Sequence, residues 1–193
     1  MREIPLRGQI FWANLEPVMG SEQGGTRPVL IISNNLMNEN ATVVIAIPMT
    51  RSGEKVRNAP FNILYKPSQL SINKDAVEEL AKMKHLYAPV DGFLLCNQGR
   101  TIAKTRLICK LGNFSDVNII RRVEEAIKDA FGLEACDICG IPLRPDGLIC
   151  MRCKRIYRTK CTGCGAVVKL EFSYCPICGR GFKSESSKQT RLN

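Results

Sequence analysis

The chain has 193 residues, 45% of them hydrophobic, with 28 Lys and Arg against 18 Asp and Glu for a formal net charge of +10. That hydrophobic share is enough for a core and excludes a chain disordered throughout. No apolar run reaches the roughly 18 residues that cross a bilayer, and residues 1–7 lack the apolar stretch of a secretion signal. A cytoplasmic protein without a membrane partner is therefore expected, and the positive excess points to a polyanion, nucleic acid above all.

Along the chain, residues 8–15, 29–33 and 42–49 are aliphatic or β-branched runs bounded by Gly, Pro or Asn and read as strands. Residues 61–65, 92–96 and 106–111 show the pattern more weakly. Residues 73–86, containing DAVEELAKMKH, are rich in helix formers and predict a helix. Ser115 is placed to cap a second helix over 116–131, where Val117, Ile120, Val123, Ile127 and Phe131 recur at helical spacing. Gly132 stops that helix and marks a boundary. The expected organisation is a domain over 1–133, a second over 134–183, and a polar, disordered tail over 184–193. Many strands with few helices make the class mainly β or α+β, a small curled sheet or barrel with flanking helices.

Eight of the ten cysteines form four C-x-x-C pairs: Cys136/Cys139, Cys150/Cys153, Cys161/Cys164 and Cys175/Cys178. They make two units of C-x2-C-x10-C-x2-C, the second repeating the first 25 residues on. Two cysteines so spaced turn a short loop and bring both sulfurs to one tetrahedral metal. Gly140, Gly165 and Gly179 follow second cysteines, where the turn calls for a positive φ. Two such knuckles close a four-thiolate site with no open position, so two structural Zn2+ are expected, an iron–sulfur cluster being the alternative. Disulfides are disfavoured without a secretion signal. The seven residues between Cys153 and Cys161 make sequential pairing more natural than interleaving the second and third knuckles. The segment resembles double zinc ribbon modules, small β-rich scaffolds that bind proteins or nucleic acids. The formal charge of residues 134–193, +6, falls to about +2 once eight thiolates hold two zinc ions. Cys96 and Cys109 lie in apolar runs and read as small buried hydrophobes.

Three stretches ahead of the cysteines carry a resemblance: RGQIFWANLEP (7–17), GSEQGGTRPVLIIS (20–33) and IPMTR (47–51), followed by NQGRTIAKTRLICKLGNFS (97–115). In this order and spacing the chain resembles the MazF/PemK family of toxin endoribonucleases over about residues 7–133. The resemblance implies an SH3-like, gyrase-poison-type β-barrel and a homodimer that cuts single-stranded RNA at short sequences without a catalytic metal. In that family the ribose 2′-hydroxyl attacks the adjacent phosphate, leaving 2′,3′-cyclic phosphate and 5′-hydroxyl ends. It implies catalytic roles for Arg27 and Thr50, and an antitoxin protein as partner. The chain departs from the family pattern at Asn97, where an acidic residue is usual, at Gly99, where a branched aliphatic is usual, and in the inserted 73–86 helix.

The residues fit that chemistry in part. Arg27 can hold a phosphorane by paired hydrogen bonds, although its pKa is too high for easy proton abstraction. Thr50 offers a hydroxyl to a nonbridging oxygen, or else caps a strand end. With one His in the chain, no two-histidine acid–base pair exists in a subunit, and His85 in the insertion reads as a surface or packing residue. Glu22, Gln23 and Thr26 precede Arg27 in a loop that borders the RNA groove. Arg51, Gln98 and Arg100 are further candidate RNA contacts, each equally an ordinary surface residue. Phe11 and Trp12 can stack on bases, or point to the core. Lys154, Arg155, Arg158 and Lys160 between the cysteine repeats would let the ribbons deliver the nuclease or hold a partner; a stabilising appendage is the plainer reading. Two other functions stay in play: a gyrase-poisoning toxin, an activity of the same fold that Arg27 and Thr50 argue against, and a catalytically silent adaptor.

Overall fold

The computed structural model describes residues 3–51, 61–85, 87–144 and 147–182. The polar tail 184–193 and the end of the expected insertion helix at Leu86 lie outside them. The chain divides into two compact units, one ending at Phe131 and the next starting at Gly132, whose φ is +65°. No helix among the described residues is long and apolar enough to cross a membrane.

The first unit is a curled antiparallel sheet with three helices. In chain order its elements are β1 (Gln9–Asn14), β2 (Thr26–Ile31), α1 (Asn35–Asn40), β3 (Val43–Arg51), β4 (Asn62–Tyr65), β5 (Leu70–Ile72), α2 (Lys74–Lys82), β6 (Gly92–Leu95), β7 (Arg100–Ala103), β8 (Leu107–Phe114) and α3 (Asn118–Phe131). The strand order is β4-β6-β3-β2-β1-β8-β5, with β7 also on β3. The period of two in β1 sends Ile10 and Trp12 into one core and Phe11 and Ala13 into the other. The sheet is thus apolar on both faces. Leu30, Met49, Leu94 and Leu111 pack with Ile119, Val123 and Ala126 of α3 on one side. Leu15, Val29, Val44 and Ile102 fill the other. This is the mainly β, helix-flanked class that the strand pattern predicts.

Several elements differ from expectation. β2 starts three residues early, at Thr26, because Thr26 to Pro28 pair with Trp12 to Asn14. α1 and β5 were not foreseen, and the residue pattern alone did not mark β7, although the resemblance over 97–115 implied a pair of strands there. β5 and β7 are short and exist by pairing, Leu70–Ile72 against β8 and Arg100–Ala103 against β3. α3 starts at Asn118, and its first amide is held by Asp116 Oδ1 at 2.9 Å, so Asp116 and not Ser115 is the capping side chain. Its buried seam is Ile119, Val123 and Ala126. Val117 precedes the first turn and Phe131 ends the last one, and both are exposed. In α2 the Asn73 side chain accepts from the Asp75 amide at 2.9 Å. The helix closes at Met83 in a Schellman turn: Lys84 N–H donates to Ala81 O at 3.0 Å and His85 N–H to Leu80 O at 2.8 Å, with Lys84 at φ 60°.

One close approach fixes the edge of the sheet. A Cβ on Gly92 would lie 2.3 Å from Thr50 O and 2.4 Å from Tyr65 Oη. Only a glycine lets β6 run this close to the end of β3, where Thr50 pairs with Phe93. Replacing Gly92 by Ala is expected to destabilise the first unit by about 1–3 kcal/mol, the usual cost of an overpacked site. Denaturant unfolding checks it: an unchanged midpoint would mean that the strands separate freely here.

Candidate active site and metal centres

A cleft of about 400 Å3 opens in the first unit, lined by Trp12 from β1, Thr26–Pro28 from β2, Met49–Arg51 from β3, Tyr65 from β4, and Tyr87, Ala88 and Val90 from the chain after α2. Both Arg27 and Thr50 therefore border one space, with Thr26 and Arg51. The lining residues include two guanidinium groups and three large aromatic rings, but no carboxylate and no imidazole.

The loop before β2 is tied from two directions. Arg27 Nε–H donates to Gly24 O at 2.6 Å, and its Nη1 donates to Gln23 Oε1. These bonds occupy Nε and Nη1 and leave Nη2 with no hydrogen bond to protein among the described residues. Burial lowers the Arg27 pKa from its ordinary value, and Glu16 opposes that shift. Gln98, in a single 3-10 turn between β6 and β7, reaches back to the loop: its Oε1 accepts from Gln23 N at 2.7 Å, and its Nε2 donates to Ser21 O at 3.3 Å. Arg100 donates to Glu22 at 3.2 Å and to Leu15 O. Glu16 Oε1 accepts from Gly25 N at 2.6 Å. So Glu22, Gln98 and Arg100 are engaged in holding the loop, while Thr26, Arg27, Thr50 and Arg51 line the cleft itself.

Sequence reasoning missed Tyr65 and Tyr87, while His85, read as a surface or packing residue, packs. His85 lies against Trp12 at 5.9 Å between ring centroids, and Tyr87 packs edge-on to the same indole at 5.8 Å and 65°. Burial pushes the Tyr87 phenol up to about 12; Tyr65 is raised further by burial and by neighbouring Tyr87 and Asp91. Trp12 is buried, and its Nε1–H has no acceptor among the described residues. Leaving a buried donor unpaired costs about 1–3 kcal/mol. Phe11 is buried in the opposite core and does not border the cleft. No periodicity marks Tyr87, because it reaches the cleft by a tertiary return of the chain.

The second unit is built on one repeated turn. In each knuckle the residue after the second cysteine donates to the first cysteine's carbonyl: Gly140 to Cys136 (2.8 Å), Lys154 to Cys150 (3.0 Å), Gly165 to Cys161 (2.8 Å) and Gly179 to Cys175 (2.9 Å). All four of these residues have φ between 61° and 74°. Glycine supplies that conformation three times, as foreseen; Lys154 adopts it at the fourth, at some steric cost. The residue before each first cysteine then bridges to the residue six beyond that cysteine's knuckle start, as in Ala135↔Pro142 and Ile149↔Ile156. The third copy, Lys160↔Val167, grows into the hairpin of β9 (Arg158–Lys160) and β10 (Val167–Lys169).

The knuckles pair sequentially. Cys136, Cys139, Cys150 and Cys153 form one tetrad, and Cys161, Cys164, Cys175 and Cys178 the other, each with its four sulfurs within 4.8 Å of one another. Sγ–Sγ separations of 3.4, 3.5, 3.6 and 3.7 Å lie close to the edge of a tetrahedron with metal–sulfur bonds of about 2.3 Å, which is about 3.8 Å. Each tetrad can hold one metal ion. Tyr157 Oη donates to Cys136 Sγ at 3.2 Å and would steady that ligand. Arg158, grouped by sequence with the surface basic residues, is in fact buried: it pairs with Glu134 and donates to Arg144 O and Gly147 O at 3.0 and 2.9 Å. Cys96 is buried as expected, its thiol pushed up to about 12, whereas Cys109 is half-buried.

Comparison with known proteins covers the first unit. Residues 6–131 match the family model described as the PemK-like, MazF-like toxin of type II toxin-antitoxin system. The chain is 31% identical over 130 residues to the endoribonuclease EndoA of Bacillus subtilis, covering 67% of this chain and 97% of that protein. It is 35% identical over 127 residues to the endoribonuclease MazF of Staphylococcus saprophyticus, covering 66% and 91%. Among solved structures, it resembles an endoribonuclease in complex with its cognate antitoxin from a mycobacterial species, with 24% identity, 68% and 99% coverage and a TM-score of 0.49. MazF from Deinococcus radiodurans gives 21%, 68%, 99% and 0.49. With a family model matched from residue 6 to residue 131, the chain belongs to the PemK-like, MazF-like toxin family of type II toxin–antitoxin systems.

Proposed function

We propose that this chain is an endoribonuclease that cuts single-stranded RNA at short sequences without a catalytic metal. It acts as a homodimer in the cytoplasm, as a toxin held in check by an antitoxin protein. The observation that carries the reading is the joint lining of one cleft by Arg27, Thr50 and Arg51, with no carboxylate or imidazole among the other described lining residues. The residue types there suit an anionic phosphorane and offer poor ligands to a divalent cation. The names of the two relatives support the same activity.

In the reaction, the 2′-oxygen of ribose forms a bond to phosphorus and the bond from phosphorus to the 5′-oxygen breaks. The 2′-hydroxyl proton leaves to water, and the departing 5′-oxygen takes a proton from solvent. Arg27, anchored on its Nε side by Gly24 and Gln23, presents Nη2 to the charge that grows on the nonbridging oxygens. Thr50 donates its hydroxyl to the same oxygens, and Arg51 and Thr26 bind flanking phosphates. Gln23, Gln98, Glu22 and Arg100 contribute by fixing the loop that aims Arg27. The two cysteine tetrads hold structural Zn2+, which shapes the second unit and takes no part in cleavage.

Cleavage of a long RNA in the presence of chelator, with end mapping, tests the reading. Wild type is expected to leave 5′-hydroxyl ends at short recurring sequences, and Arg27→Ala and Thr50→Ala to cut about 10²–10³-fold more slowly. Equal cutting by all three proteins would place the chemistry elsewhere. Folded wild type that binds RNA without cutting it would leave the adaptor reading. Elemental analysis of the purified protein should find two zinc ions per chain, one for each tetrad, and one in Cys150→Ser. Iron in their place would overturn the zinc assignment.

A further inference from the structure

The cleft is more than a phosphate site. Its cationic part, Arg27 and Arg51, adjoins a wall of Trp12, Tyr65, Tyr87, Ala88 and Val90. A lone phosphate has no use for three aromatic rings, whereas a nucleotide presents an anion and a flat, polarisable base. Tyr87 is the ring that the chain after α2 brings. The Schellman turn at Lys84 ends α2, His85 packs on Trp12, and Tyr87 follows into the cleft, half-buried against the core that holds Trp12 and Leu80. The T-shaped contact between Tyr87 and Trp12, at 5.8 Å and 65°, leaves one of the two rings with its faces uncovered by the other. The Tyr87 hydroxyl makes no hydrogen bond to protein among the described residues.

We propose that Tyr87, carried by the stretch between α2 and β6, is a specificity-determining residue that stacks on a nucleobase next to the phosphate held by Arg27. This deepens the ribonuclease reading and rests on it. The stacked base sets where the RNA lies before cleavage, so Tyr87 governs affinity and site choice and takes no proton. It is a positioning contact, distinct in chemistry from Arg27 and Thr50.

The chain has one Trp, Trp12, so its fluorescence reports the occupancy of this wall directly. The full-length protein is titrated with single-stranded 2′-O-methyl oligonucleotides, which cannot be cut, of each base, and with an abasic oligonucleotide of equal charge. Base-bearing strands are expected to quench Trp12 and to bind Tyr87→Ala about tenfold more weakly. The abasic strand should bind wild type and Tyr87→Ala alike, and Tyr87→Phe should retain the stacking. In parallel, cleavage-site mapping should show Tyr87→Ala cutting with a broader choice of sequence and a raised KM at little-changed kcat. Equal affinity of wild type and Tyr87→Ala for base-bearing strands would overturn the inference, as would equal losses for base-bearing and abasic strands. If wild type binds with this Tyr87 dependence yet leaves ordinary RNA uncut, the stacking site stands and the nuclease reading falls. If wild type cuts RNA while Tyr87→Ala keeps its affinity and sites, the nuclease reading stands and this inference falls.

Discussion

Strand β3 is shared among three neighbours, and the site depends on how it is shared. Val43–Ala46 pair with β7, Ala46–Pro48 with β2, and Met49–Arg51 with β6. Pro48 sits at the handover from β2 to β6, where a missing N–H does least harm to either ladder. The change of partner turns the last three residues onto a second stretch of sheet. Thr50 and Arg51 thereby reach the cleft, while Val44 and Ala46 stay in one core and Ile47 and Met49 in the other. The close approach of Gly92 to the Thr50 carbonyl is the condition for that second pairing.

Arg27 is held by a different device. Its strand neighbours fix only the backbone, since Arg27 pairs with Ala13 in β1. The guanidinium direction comes from the loop that precedes it, and the loop is fixed in turn by Gln98 and Arg100 from the far side of the sheet sequence. A long side chain that is anchored at one edge loses less freedom when it meets a phosphate, because the ordering cost is met in folding. The placement of Arg27 thus depends on residues far apart in the chain, such as Gln23 and Gln98, 75 positions apart.

These distances explain what the sequence could and could not disclose. The two cysteine tetrads were legible almost completely, because C-x-x-C spacing is local and its geometry is contained in a single turn; the seven-residue link favoured the sequential pairing without excluding the interleaved one. The long strands were legible from period-two alternation. β5 and β7 were not, since LSI and RTIA acquire strand geometry only from partners far along the chain. The same limit hid the difference between a residue that lines the cleft and one that supports it. Thr26 and Gln98 look alike as polar residues in a loop or turn, and only the fold separates Thr26 at the cleft from Gln98 behind the loop. Arg158 in the second unit was misjudged for the same reason: a basic residue between ribbons looks exposed until Glu134 and two carbonyls are found around it.

The segment from Asn73 to Gly92 has the mechanical character of a strap fixed at both ends. At its start, Asn73 N–H donates to Leu111 O at 2.7 Å, Ile72 pairs with Gly112, and Ala76 and Leu80 are buried on the core. At its finish, Gly92 enters β6 beside Thr50 and Tyr65. The ends are set by sheet pairing and apolar burial, whereas residues 87–90 between them belong to no helix or strand. Side chains on such a span can change without disturbing the ladder that positions Thr50, because none of the strand hydrogen bonds passes through them. On the proposed roles, Arg27 and Thr50 sit on the sheet ladder and Tyr87 on a tethered strap, so a change in the strap would alter the choice of RNA separately from the chemistry.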